Sequence, residues 1–133
     1  MPITIRQIHP VFVGEVSGID AAKPVGPEDV QAIDAGMARY AVLVLREQKL
    51  TDEQQMAFTR NFGTIEDARG GNITKPQDRR LLTGMNDVSN LGKDGGPLPR
   101  ESRQRLFNLG NMLWHSDSSF RVIPAKYSLL SGR

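Results

Sequence analysis

The 133-residue chain contains no cysteine, only two histidines and a single tryptophan. Without cysteine there is no disulfide framework and no thiolate metal site, a composition that suits a reducing cytoplasm. Any metal must then be held by nitrogen and oxygen ligands. No apolar run approaches the roughly 18 residues of a membrane-spanning helix, and MPITIRQIHP lacks the apolar centre of a signal peptide. One-sided charge is missing too: 17 basic residues face 15 acidic ones, a formal net charge of +2. The basic residues are dispersed, apart from small groups at Arg79–Arg80 and Arg100–Arg105, and no basic stripe alternates with aromatics. Nucleic acid and membrane are therefore not expected partners. No internal repeat is present.

What remains is ordinary globular composition, 38% hydrophobic and 24% charged, with enough chain for one core. ITIRQIHPVFVGEV has β-branched residues in partial alternation and predicts one or two short strands. Pro27, followed by Glu28 and Asp29, opens a helix on whose single face Val30, Ile33 and Met37 fall. AVLVL (41–45) predicts a buried strand. Thr51 with Gln54 forms a capping-box pattern for a second helix carrying Met56, Phe58 and Phe62, which Gly63 can end. From Asp67 to Arg105 the pattern weakens into Gly- and Pro-rich loops around one apolar patch, RLLTGM, a length that points to binding loops or lids, with disorder as the competing explanation. FRVIPAKYSLLSGR predicts two strand segments broken at Pro124. The order suggests a β-rich α+β fold.

NMLWHSDSSF (111–120) is the one place where a histidine, a carboxylate, an indole and hydroxyls crowd together. On a strand, residues two apart point to the same side, so His115 and Asp117 can present a nitrogen and an oxygen to one point. Two readings stay open on pattern alone. One is a core histidine paired with Asp117 beside a packed Trp114. The other is two members of a two-histidine-one-carboxylate iron site. A hydrolase built on Ser116, Ser118 or Ser119 lacks the sharp turn that presents a nucleophile. His9, in a strand-like segment far upstream, is expected to be structural or exposed.

LFNLGNMLWHSDSSFRVIPAKYSLLSGR, with AVLVLREQKLTDEQQMAFTRNFG and NDVSNLGKDG upstream, resembles the iron(II)/2-oxoglutarate-dependent dioxygenases of the taurine dioxygenase and 2,4-dichlorophenoxyacetate dioxygenase family. The likeness covers nearly the whole chain and is strongest to the phenoxyalkanoate branch. It implies that residues 1–133 form one incomplete domain, the N-terminal part of a double-stranded β-helix (jelly-roll) with flanking helices, and that 67–105 are active-site loops. It implies His115 and Asp117 as iron ligands, with 2-oxoglutarate and O2 as co-substrates. Asn111, Ser118 (through its backbone amide) and Lys75 would face a small carboxylic acid substrate. The expected reaction oxidises the carbon beside an ether oxygen, giving a phenol, a 2-oxo acid, succinate and CO2. A distal histidine, a threonine and an arginine of the family have no match within the chain, so the chain is expected to be an N-terminal fragment, inactive alone. The alternatives are a short non-catalytic form that binds a carboxylate or a partner, and the same chemistry on a sulfonate or aliphatic acid. A homo-oligomer is compatible with any of these.

Overall fold

The computed structural model describes residues 2–66 and 76–132. They fall into two compact units: 1–65 with 131–133, and 66–130.

The first unit is built on three short strands and two helices: β1 (Thr4–Gln7), β2 (Gly14–Ser17), α1 (Pro27–Tyr40), β3 (Leu43–Leu45) and α2 (Asp52–Arg60). β1 pairs antiparallel with β2, and β2 pairs parallel with β3, giving the order β1-β2-β3. The parallel pair requires a crossover, and α1 supplies it. Pro27 opens α1, where its missing N–H costs nothing, and Glu28 and Asp29 sit at the positive end of the helix dipole. At the other end Ala41 takes a left-handed conformation (φ 60°) and its N–H caps the Met37 carbonyl. α2 begins with the full capping box: Thr51 Oγ1 accepts from Gln54 N at 3.3 Å, and Gln54 Oε1 accepts from Thr51 N at 2.9 Å. Val16, Ala21, Ile33, Tyr40 and Phe58 are the buried apolar residues. Phe58 meets Phe62 edge-on with ring centroids 5.4 Å apart.

Charge on the sheet is organised by Glu15. It lies opposite Arg6 in the β1–β2 register and pairs with it at 2.7 Å, while its other oxygen accepts from Arg46 just past β3. The Arg46 contact first, and Arg6 second, hold the Glu15 carboxyl below the usual glutamate range.

Gly14 sits at a tight point of this unit. A Cβ there would stand 2.8 Å from both Ile5 Cγ2 and Tyr40 Cδ2, and 2.9 Å from Leu43 Cδ2. The Gly14→Ala substitution gains about 0.4–1 kcal/mol by restricting the unfolded chain. Overpacking against a buried ring costs about 1–3 kcal/mol, so the steric term wins. Gly14→Ala is expected to lower the midpoint of urea unfolding, read by circular dichroism; an unchanged or raised midpoint would show that the ring can move aside.

Among its described residues the second unit has little regular structure: a 3-10 turn at Pro76–Asp78, an isolated bridge between Leu91 and Pro97, helix α3 (Arg103–Asn108) and a 3-10 turn at Leu109–Met112. The sequence gives little notice of α3, a helix of six residues with no buried side chain, capped by Ser102 Oγ accepting from Arg105 N at 3.2 Å. Polar ties organise the loops before it. Arg80 grips Asp87 with two bonds, 2.7 and 3.0 Å, and Asn108 Nδ2 donates to the Ser89 carbonyl at 2.6 Å.

Two expectations are corrected here. No strand forms among 113–132: none of these residues pairs in a ladder, and alternation alone does not make a strand without a neighbour. Trp114 is not packed in a core: it is fully exposed, as is Val122, and Phe120 and Ile123 are largely exposed. Among the described residues the buried hydrophobic side chains all belong to the first unit.

Candidate metal-binding site

The site grows out of the segment that follows α3. The 3-10 turn ends at Leu113 in extended conformation, residues 114–116 are irregular, and 117–120 form a turn. His115 and Asp117 are therefore not on a strand, yet their side chains still meet. His115 Nε2 lies 3.1 Å from Asp117 Oδ1, with the two side chains 44% and 56% exposed, so solvent and ions can reach both.

Each nitrogen of the His115 ring faces an acceptor: Nδ1 stands 2.7 Å from the Leu113 carbonyl, and Nε2 faces the Asp117 carboxylate. A carbonyl can only accept, so Nδ1 carries the proton that donates to it. Nε2 then satisfies the carboxylate either by holding a second proton or by sharing a cation with it. The first arrangement agrees with the raised pKa of His115, to which the Leu113 carbonyl contributes most; partial desolvation opposes the shift, and Asp117 adds to it. The second makes Nε2 a ligand whose tautomer is fixed by the bond at Nδ1, the usual arrangement at histidine metal sites.

The spacing suits a metal. Two donors each about 2.1 Å from a first-row divalent ion, at right angles, lie about 3.0 Å apart. The donor set, one imidazole and one carboxylate, suits ferrous or manganous ions. Asp117 Oδ2 is already taken by Ser128 Oγ, which donates to it at 2.5 Å, leaving Oδ1 as the oxygen turned to His115. Among the described residues no third histidine, cysteine or carboxylate joins the pair.

The other sequence candidates are distributed differently. Asn111 is exposed on the 3-10 turn before Trp114. Ser118 follows Asp117 with a left-handed backbone (φ 56°), and its hydroxyl, which sequence reasoning set aside in favour of its amide, donates to Glu66 Oε2 at 2.5 Å. Lys75 lies outside the described residues. His9, as expected, is exposed; its Nδ1 accepts from Val11 N at 3.3 Å, and its ring lies 4.6 Å from Phe12. Sequence reasoning passed over Glu66, Arg121 and Ser128. Ser128 carried a faint signal, as an outward position of the alternation Ala125, Tyr127, Leu129. Glu66 carried none, being 52 residues from the serine it binds.

Comparison with known proteins places this geometry in context. The model of the family described as taurine catabolism dioxygenase TauD, TfdA family matches residues 4–133. The chain is 40% identical over 133 residues to the alpha-ketoglutarate-dependent 2,4-dichlorophenoxyacetate dioxygenase of Cupriavidus pinatubonensis, covering 98% of this chain and 45% of that protein. It is 32% identical over 131 residues to the (S)-phenoxypropionate/alpha-ketoglutarate-dioxygenase of Sphingobium herbicidovorans, covering 96% and 39%. The crystal structure of AAD-2 in complex with Mn(II) and N-oxalylglycine superposes with a TM-score of 0.86 at 62% identity, covering 95% of this chain and 44% of that one. The chain thus spans less than half the length of these relatives. No described helix is long and apolar enough to cross a membrane.

Proposed function

The chain belongs to the taurine catabolism dioxygenase TauD, TfdA family, and on that premise we propose that the complete gene product is an Fe(II)- and 2-oxoglutarate-dependent dioxygenase acting on phenoxyalkanoic acids. The observation that carries the reading is the His115–Asp117 pair, with its donors 3.1 Å apart, in a chain 62% identical to a protein solved with Mn(II) and N-oxalylglycine. N-Oxalylglycine differs from 2-oxoglutarate by an NH in place of a CH2, which supports 2-oxoglutarate as co-substrate. The 40% identity to a 2,4-dichlorophenoxyacetate dioxygenase supports the substrate class. We read the chain as the N-terminal portion of one jelly-roll domain, in a cytoplasm reducing enough to keep iron ferrous.

In this reading His115 Nε2 and Asp117 Oδ1 hold the ion. When bound, iron couples the oxidative decarboxylation of 2-oxoglutarate by O2 to oxidation of the substrate carbon. The residues of this chain bind and orient. The Leu113 carbonyl keeps the proton on Nδ1, and Ser128 fixes which Asp117 oxygen is free. Asn111, the Ser118 amide and the Lys75 ammonium are the groups proposed to face the substrate carboxylate, holding the carbon beside the ether oxygen toward the metal. In sum, a phenoxyacetate, 2-oxoglutarate and O2 give a phenol, glyoxylate, succinate and CO2.

The test is to supply the complete gene product with Fe(II), ascorbate, 2-oxoglutarate and a panel of acids. Succinate formed in step with phenol from 2,4-dichlorophenoxyacetate is the expected result. Succinate formed only with a sulfonate or an aliphatic acid would reassign the substrate class. No succinate with any acid would favour a non-catalytic carboxylate-binding protein.

A further inference from the structure

Glu66 has both carboxylate oxygens engaged within the unit that carries the metal pair. Oε2 accepts from Ser118 Oγ at 2.5 Å, and Oε1 pairs with Arg121 Nε. Ser118 and Arg121 are themselves joined through the backbone, the Arg121 N–H donating to the Ser118 carbonyl at 3.0 Å. One carboxylate therefore ties together Ser118 and Arg121, the residues that bracket the turn directly beside Asp117.

That turn needs holding. Ser118 has φ 56°, a conformation that a residue with a Cβ adopts reluctantly, and the bond from its hydroxyl to Glu66 favours it. Packing does not do the work, because Trp114 and Phe120 on either side stand in solvent. The Glu66 and Arg121 side chains, by contrast, are only 29% and 22% exposed. Glu66 is also neutralised by Arg121, so it adds little net negative charge beside the metal pair.

We propose that Glu66 is a positioning residue for metal binding: acting through Ser118 and Arg121 together, it fixes the turn that aims the Asp117 carboxylate at the ion. The proposal rests on the reading of His115 and Asp117 as metal ligands. It requires no chemistry of Glu66 itself. Groups that orient metal ligands typically change affinity by about 10- to 100-fold when removed.

The experiment is a calorimetric titration of the complete apo gene product with Mn(II) alone, comparing wild type, Glu66→Ala, Ser118→Ala, the double variant and His115→Ala. Glu66→Ala is expected to weaken Mn(II) binding by about 10- to 100-fold, with Ser118→Ala weakening it less. The double variant should bind no more weakly than Glu66→Ala, because the serine acts only through the carboxylate. That coupling is a readout a general loss of stability would not produce, and circular dichroism checks that each variant is folded. Additive losses, or Mn(II) affinity within twofold of wild type for Glu66→Ala while His115→Ala has lost binding, overturn the positioning role and leave the metal site standing. Wild-type affinity in His115→Ala sinks the metal reading itself. Should Glu66→Ala fail to fold, Ser118→Ala decides: weakened Mn(II) affinity supports the proposal, and unchanged affinity overturns it.

Discussion

Alanine at His115 or at Asp117 is expected to reduce Mn(II) affinity of the complete gene product by more than about a hundredfold and to abolish succinate formation. The bound is set by comparison. Removing a group that merely orients a ligand costs about 10- to 100-fold, and each of these substitutions removes the ligand itself. Titration with Mn(II) measures the first effect, and decarboxylation of 2-oxoglutarate measures the second. Retention of tight Mn(II) binding by either variant would show that the 3.1 Å contact is only an ion pair.

Ser116→Ala serves as the comparison within the same segment. Ser116 lies between the two candidate ligands and is exposed, and the metal reading gives its hydroxyl no part, so its turnover should stay within about twofold of wild type. A serine hydrolase would behave in the opposite way, losing activity with a nucleophilic serine and ignoring added metal. The pair of results separates a hydrolase built on Ser116 from a metal-dependent oxygenase.

What could be read in advance divides by sequence distance. α1 and α2 were legible because their signals are local: Pro27 at a first turn, Thr51 and Gln54 exchanging hydrogen bonds three residues apart. The strand in AVLVL was foreseen but came out as Leu43–Leu45 only. The left-handed cap of α1 takes Ala41, and Val42 is exposed. The strand segments expected after Phe120 failed because a strand is specified by its neighbour as much as by its own alternation. α3 went unread because six exposed residues behind a single serine cap give too little periodicity. At the site, the meeting of His115 and Asp117 survived the wrong premise of a strand, since residues two apart can converge in several extended or turning conformations. The Glu66 contacts depend on a chain path of more than fifty residues, which no local pattern encodes.

A polypeptide of residues 1–133 alone is expected to yield no succinate above a protein-free blank, even with saturating Fe(II), 2-oxoglutarate and 2,4-dichlorophenoxyacetate. Among the described residues the pair finds no third protein ligand, and an ion held by two exposed side chains exchanges readily with water and buffer. Nor is the turn around Asp117 buttressed by packing. The described residues of its unit bury no hydrophobic side chain, and its ties are ion pairs and hydrogen bonds near solvent, each worth on the order of 1 kcal/mol or less. The first unit is different in kind: it has a core in Val16, Ile33, Tyr40 and Phe58 and two capped helices. The same polypeptide should therefore show cooperative unfolding by circular dichroism while failing in catalysis. Stoichiometric succinate from it would mean that His115 and Asp117 need no further protein ligand.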